Sequence, residues 1–252
     1  MTLPNSKHQN YNNNNDNNSV IKKIENNCSK TIDVILNHSY LAELEGKEIK
    51  REKLRIFVCE QYHIIKSDRR NFAFMISKTS DDIAAELFTD CLSVEVKALQ
   101  SLVPMAKELG IINDDNYRNN NSSIDIDNML QLYEPLAGCH AYTNYLTKLA
   151  VYGSDAEILA AILVDFPVWG ANCSKISSCL KKNYSFTNSS CMFLDQFAAP
   201  LPKEFIEKSN SLITRFVNFS QKENTTIERA ARLILDYELL FWDTIYNNSI
   251  TG

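Results

Sequence analysis

The chain has 252 residues, 26 Lys+Arg against 31 Asp+Glu, a net charge of −5 and 44% apolar content; this is enough for a large buried core and offers no basic excess to attract nucleic-acid phosphates or acidic lipid. Six glycines and six prolines are under half the usual shares of about 7% and about 5%, which argues against a many-turned β fold. Neither G-x-G-x-x-G nor G-x-x-x-x-G-K-S/T occurs, so glycine-loop nucleotide binding is excluded.

Residues 1–18 are polar and asparagine-heavy; too little apolar area is present to offset ordering entropy, and a disordered tail is expected before a single domain over 19–252. Helical periodicity then recurs along the chain. A first helix is expected from about Val20 to Tyr40. A second is expected from about Lys50 to Lys78, where Leu54, Phe57, Val58, Gln61, Tyr62, Ile65 and Phe72 share one face. A third follows Ser80, with Asp81 and Asp82 suiting a helix N-terminus, and ends at Gly110. The polar stretch Asn113 to Asn128 reads as a surface loop. A fourth helix is expected from about Met129 to Tyr152. The fifth starts at Ser154, whose spacing to Glu157 is that of a capping box, and runs towards Lys182 with a kink at Pro167. A sixth follows Pro200-Leu201-Pro202 to about Ser220. A seventh, about Thr226 to Asn247, stacks Ala230, Leu233, Ile234, Tyr237, Phe241 and Ile245. Seven such helices predict an all-α bundle. The longest apolar run, Ile158 to Trp169, is about 12 residues and a bilayer span needs about 20, so no membrane crossing is expected. An odd number of cysteines, seven, without C-x-x-C pairs or a signal-peptide pattern, fits a reducing cytoplasm.

Two acids contradict the apolar pattern. Glu238 has Ile234, Leu235, Phe241 and Trp242 as its i±3 and i±4 neighbours, and Asp165 has Ala161, Ile162, Val168 and Trp169. A carboxylate in such surroundings costs several kcal/mol unless it is hydrogen-bonded or protonated at a raised pKa, and a pair of them is the natural start of a site. The plainer alternative is that each binds a tyrosine hydroxyl or a helix end; Tyr62, Tyr142, Tyr145 and Tyr237 are candidates. His63 and His140 read as core or rim histidines.

Several stretches together resemble the TenA/thiaminase II family. His38-Ser39-Tyr40-Leu41, Gly46 and Leu54-x-x-Phe57-Val58-x-Glu60-Gln61-Tyr62-His63 resemble its opening H-P-F-L…G…F-V-x-Q-D-Y-H pattern. Tyr142-Thr143 falls where the family has a site tyrosine. Ala156 to Leu163 resembles the apolar helix leading to the family nucleophile, and Tyr237-Glu238-x-x-Phe241-Trp242 resembles the final-helix signature Y-E-x-x-F-W. The resemblance implies a haem oxygenase-like multi-helical bundle of seven to eight helices with a pocket between core helices, and hydrolysis of thiamine or its aminopyrimidine breakdown products by a dimer or tetramer. In the family a thiolate adds to the ring, glutamates move protons, and an aspartate and tyrosines bind the pyrimidine.

Carried onto this sequence, Glu238 matches the proton-handling glutamate and Tyr142 the tyrosine. Gln61 replaces the aspartate, Ile64 and Phe197 replace further tyrosines, and Asp165 stands where the nucleophilic cysteine belongs. An aspartate lacks the soft sulfur that speeds thiolate addition, but with Glu238 it forms a carboxylate pair able to move protons or activate water. The expected reading is therefore a cytoplasmic C–N hydrolase of an aminopyrimidine, with Asp165 and Glu238 catalytic, Gln61, Tyr142 and Tyr62 binding the ring, and Trp169 and Phe197 as walls. No cofactor, metal, nucleic-acid or membrane partner is expected; homo-oligomerisation is. The alternatives are a non-catalytic pyrimidine- or small-molecule-binding regulator of the same fold and, with only His63 and His140 as core histidines and no inward E-x-x-H, a di-iron oxidase.

Overall fold

The computed structural model of the chain describes residues 20–112, 130, 132–217 and 221–248; the asparagine-rich tail and the polar loop expected over 113–128 lie outside them. Among the described residues the chain runs, in order, through α1 (Val20–Leu36), α2 (Ser39–Glu45), α3 (Arg51–Lys78), α4 (Asp82–Glu108), α5 (Ala137–Tyr152), α6 (Asp155–Asn183), a 3-10 turn (Ser189–Cys191), α7 (Met192–Ala198), α8 (Lys203–Val217) and α9 (Gln221–Asn247), with no strand. The seven longer helices are those that the periodicity predicts. The two short ones, α2 and α7, are too brief to show a period.

Local chemistry sets the boundaries. The first helix stops at Leu36 instead of Tyr40 because His38 caps the next one: its backbone is extended and its Nδ1 accepts the Tyr40 N–H at 3.1 Å. Asp81 caps α4 by accepting from the N–H groups of Ile83 and Ala84, and Gly110 beyond its end takes the left-handed φ of +68° that glycine accepts without strain. The fourth helix starts at Ala137 instead of Met129. Pro135 lacks an N–H and biases the residue before it away from helical angles, so the helix begins beyond it. At α6 the Ser154–Glu157 capping box is complete, and the helix continues through Pro167 to Asn183.

Helix α6 forms the spine. Ile158 to Asp165 are buried without a break, because α1, α2, α7, α8 and α9 all pack on it. It is the one described helix long and apolar enough to cross a bilayer, and 67% of its most apolar stretch is covered by the other helices, as befits a core helix. Helix α3 lies against α4 and α5, and α9 against α5 and α6. Trp242, Tyr40, Tyr62, Phe57 and Phe72 are fully buried where these faces meet, each contributing roughly 1.5–3 kcal/mol of burial. Gly170 lets α7 settle on α6: a Cβ there would stand 2.8 Å from the Phe197 carbonyl oxygen. That close approach brings Phe197 over the gap between α3 and α6.

Candidate active site

The five long helices α3, α4, α5, α6 and α9 do not close completely. Between them, with Phe197 of α7 on one side, lies an open-mouthed cavity whose empty space, solvent outside the mouth included, is about 700 Å3. Asp165 and Glu238 both line it, as do Gln61, Tyr142, Trp169 and Phe197. Two acids 73 residues apart in the chain therefore share one void because α6 and α9 pack side by side. Asp165 is 1% exposed and Glu238 2%.

The hydrogen bonds divide the pair into unequal partners. The Tyr142 hydroxyl donates to Asp165 Oδ2 at 2.6 Å, and the Trp242 indole N–H donates to Glu238 Oε1 at 3.1 Å. The remaining oxygens, Asp165 Oδ1 and Glu238 Oε2, are buried and find no hydrogen-bond partner, and the two carboxyls raise or lower each other's acidity across the cavity. Burial pushes Asp165 up to about 7, while the bond from Tyr142 pulls the other way. Burial, and then the charge of Asp165, hold Glu238 well above the usual carboxylate range. Glu238 is thus the acid of the pair and Asp165 the better anion. Burial first, then the charge of Asp165, raise the Tyr142 phenol, so it remains a donor.

The other expected residues sort themselves by helical angle. Gln61 faces the cavity, is 5% exposed, and its amide forms no hydrogen bond among the described residues. Trp169 stacks on Phe57 at 6.1 Å and meets Phe197 edge-on at 6.2 Å, making an aromatic wall. Tyr62, expected to bind the ring, does not reach the cavity. One residue on from Gln61 is a turn of about 100°; this carries the Tyr62 ring against His63, where its hydroxyl accepts Lys66 Nζ at 3.0 Å. His63 donates to the Leu130 carbonyl at 3.0 Å, and neither it nor His140 lines the cavity. The lining has no cysteine either. Burial raises the thiols of Cys59, up to about 11, and Cys139.

Two more acids in the lining were not anticipated: Asp68 on α3, 5% exposed, and Glu95 on α4, 7% exposed. The signal was available. Asp68 has Ile64, Ile65 and Phe72, and Glu95 has Cys91, Leu92, Ala98 and Leu99, at i±3 and i±4, the same pattern that marks Asp165 and Glu238. Asp68 Oδ1 accepts from the Thr143 hydroxyl and from Asn71 Nδ2, the latter at 3.2 Å, yet burial lifts Asp68 to about 7. Glu60 shows what a buried acid does when it is purely structural. It lies outside the cavity, and its Oε1 accepts the Tyr133 hydroxyl at 2.7 Å and the Leu136 N–H at the start of α5 at 2.8 Å. Among the described residues no three His, Cys, Asp or Glu side chains are grouped to hold a metal ion, so the donor set does not fit a di-iron centre.

An all-α bundle of this topology with an acid-bearing cavity between its core helices defines the class: a haem oxygenase-like fold. Within that class the chain belongs to the TENA/THI-4/PQQC family, whose model matches residues 25–248. Similar solved structures include a TenA homologue from Pyrococcus furiosus, 20% identical with a TM-score of 0.68, covering 90% of this chain and 100% of the other. A candidate TenA-like thiaminase from Sulfolobus solfataricus is 13% identical with a TM-score of 0.65, covering 92% and 98%. Haem oxygenase-1 from the cyanobacterium Synechocystis, solved with haem, is 12% identical with a TM-score of 0.61, covering 90% and 91%. At these identities the structures share the fold. No curated protein matches the chain by sequence.

Proposed function

We propose that this protein is a C–N hydrolase of an aminopyrimidine derived from thiamine breakdown, working by carboxylate acid–base chemistry. The observation that carries the reading is the Asp165–Glu238 pair: two buried carboxyls on one cavity, the first raised to about 7 and the second well above the usual carboxylate range. Such a split suits a base and an acid working side by side. Asp165, held by Tyr142, takes a proton from water as its oxygen attacks the carbon bearing the amine. Glu238 gives its proton to the departing nitrogen. One C–O bond forms, one C–N bond breaks, and amine plus water become alcohol plus ammonia. The Gln61 amide has both a donor and an acceptor for an aminopyrimidine edge, and Trp169 and Phe197 offer faces on which a ring stacks. Membership of the TENA/THI-4/PQQC family and the thiaminase-like structural neighbour support this substrate class. All seven cysteines are free thiols, in keeping with work in the cytoplasm.

The test is to incubate the protein with thiamine, aminomethyl-pyrimidine and formylamino-pyrimidine and to look for hydroxymethyl-pyrimidine. Product that falls by about 100-fold or more in Asp165→Asn and in Glu238→Gln is expected. Tight pyrimidine binding with no turnover would overturn the reading and make this a binding or regulatory member of its family.

A further inference from the structure

The cavity holds four carboxyls, Glu238, Asp165, Asp68 and Glu95, and no Lys, Arg or His among its lining residues. They come from four helices, Glu238 from α9, Asp165 from α6, Asp68 from α3 and Glu95 from α4. The charge of Asp165 raises Glu238 and Asp68, and that of Asp68 raises Glu95.

Glu95 has no local task. It is 7% exposed, it faces the void, and its carboxyl accepts no hydrogen bond among the described residues. Arg69 only moderates its charge and is not part of the lining. Asp68 points the same way: both of its donors, Thr143 and Asn71, sit on Oδ1. An unpartnered buried carboxyl is costly, and a core built only for stability would place an apolar side chain there.

We infer that Asp68 and Glu95 form a second, cation-binding pole of the cavity, so that the ligand carries two basic nitrogens, one at Asp165–Glu238 and the other at Asp68–Glu95. This rests on the cavity being the substrate site, and it narrows the substrate to an amine that carries a second basic nitrogen. Ile65, Leu146 and Phe72 line the same cavity and offer apolar surface to the part of the ligand that joins the two nitrogens. Ammonium ions in such a place gain charge-assisted hydrogen bonds as well as aromatic faces.

Calorimetric titration at about pH 8 with the α,ω-diamines from 1,4-diaminobutane to 1,8-diaminooctane, each against the n-alkylamine of equal length, tests this. At the matching length the diamine should bind about tenfold or more tighter than its monoamine. Glu95→Gln should abolish that preference and leave the monoamine where it was, with Asp68→Asn as a second variant and thermal melts confirming that both fold. Diamines no tighter than monoamines at every length, or a preference that survives both variants, would overturn the second pole. Loss of monoamine binding in Asp165→Asn alongside that result would leave the reacting pair standing, so the two readings fail separately.

Discussion

Tyr142 on α5 and Asp165 on α6 are joined by a 2.6 Å hydrogen bond from the phenol to Oδ2. The bond favours the anionic form of the aspartate against the burial that raises it. It also anchors α5 to the spine helix at the cavity wall.

Removing that donor tests the division of labour. In Tyr142→Phe the anionic form of Asp165 loses a stabilising bond, so its pKa rises further above about 7. The acidic limb of kcat/KM for pyrimidine hydrolysis should move to higher pH by about one unit, and the rate at neutral pH should drop roughly tenfold. A pH–rate profile with an unmoved limb would show that Asp165 is not the base.

The buried acids also make stability depend on pH in an unusual direction. Asp68 and Asp165 titrate at about 7 in the folded protein and at about 3.9 when unfolded. Between those values the native state holds more protons, so the contribution is full below about pH 4 and is lost as pH rises through about 7. Melting temperature should fall between about pH 4.5 and about pH 7.5. Asp165→Asn, which keeps the shape without the charge, should flatten that slope and melt higher than the parent at the alkaline end. An identical slope in the variant would exclude Asp165 as its source.

Gly170 controls the wall on which a ring would stack. Alanine there meets the Phe197 carbonyl oxygen at 2.8 Å, a backbone atom that cannot swing aside. Gly170→Ala should cost about 1–3 kcal/mol of stability in denaturant titration, and, by lifting α7, should weaken pyrimidine binding while the reacting acids remain in place.

A substitution remote from the cavity separates fold from site. Ser154 Oγ accepts the Glu157 N–H at 3.3 Å, and Glu157 Oε2 accepts the Ser154 N–H at 2.8 Å. Ser154→Ala should cost about 1 kcal/mol in chemical denaturation with kcat/KM unaltered.

Much of this protein is written locally. The i, i+3, i+4 stripes of α3 and α9, the Ser154–Glu157 box, and the acids at Asp81 and glycine at Gly110 that bound α4 depend on residues within a turn of one another, so they are legible from the chain alone. Asp165 and Glu238 betray themselves by the same short-range logic, and so do Asp68 and Glu95 once it is applied to every buried acid. What the stripes could not supply is which face of α3 meets which neighbour: Gln61 and Tyr62 look equally inward in sequence, and only the packing of α3 against α4 and α5 sends one to the void and the other to Lys66. The gathering of Glu238, Asp165, Asp68 and Glu95 on one cavity belongs entirely to the tertiary structure. Its members come from four helices, and whether a buried acid meets a donor, as Glu60 does, or another acid across an open cavity depends on which helices become neighbours.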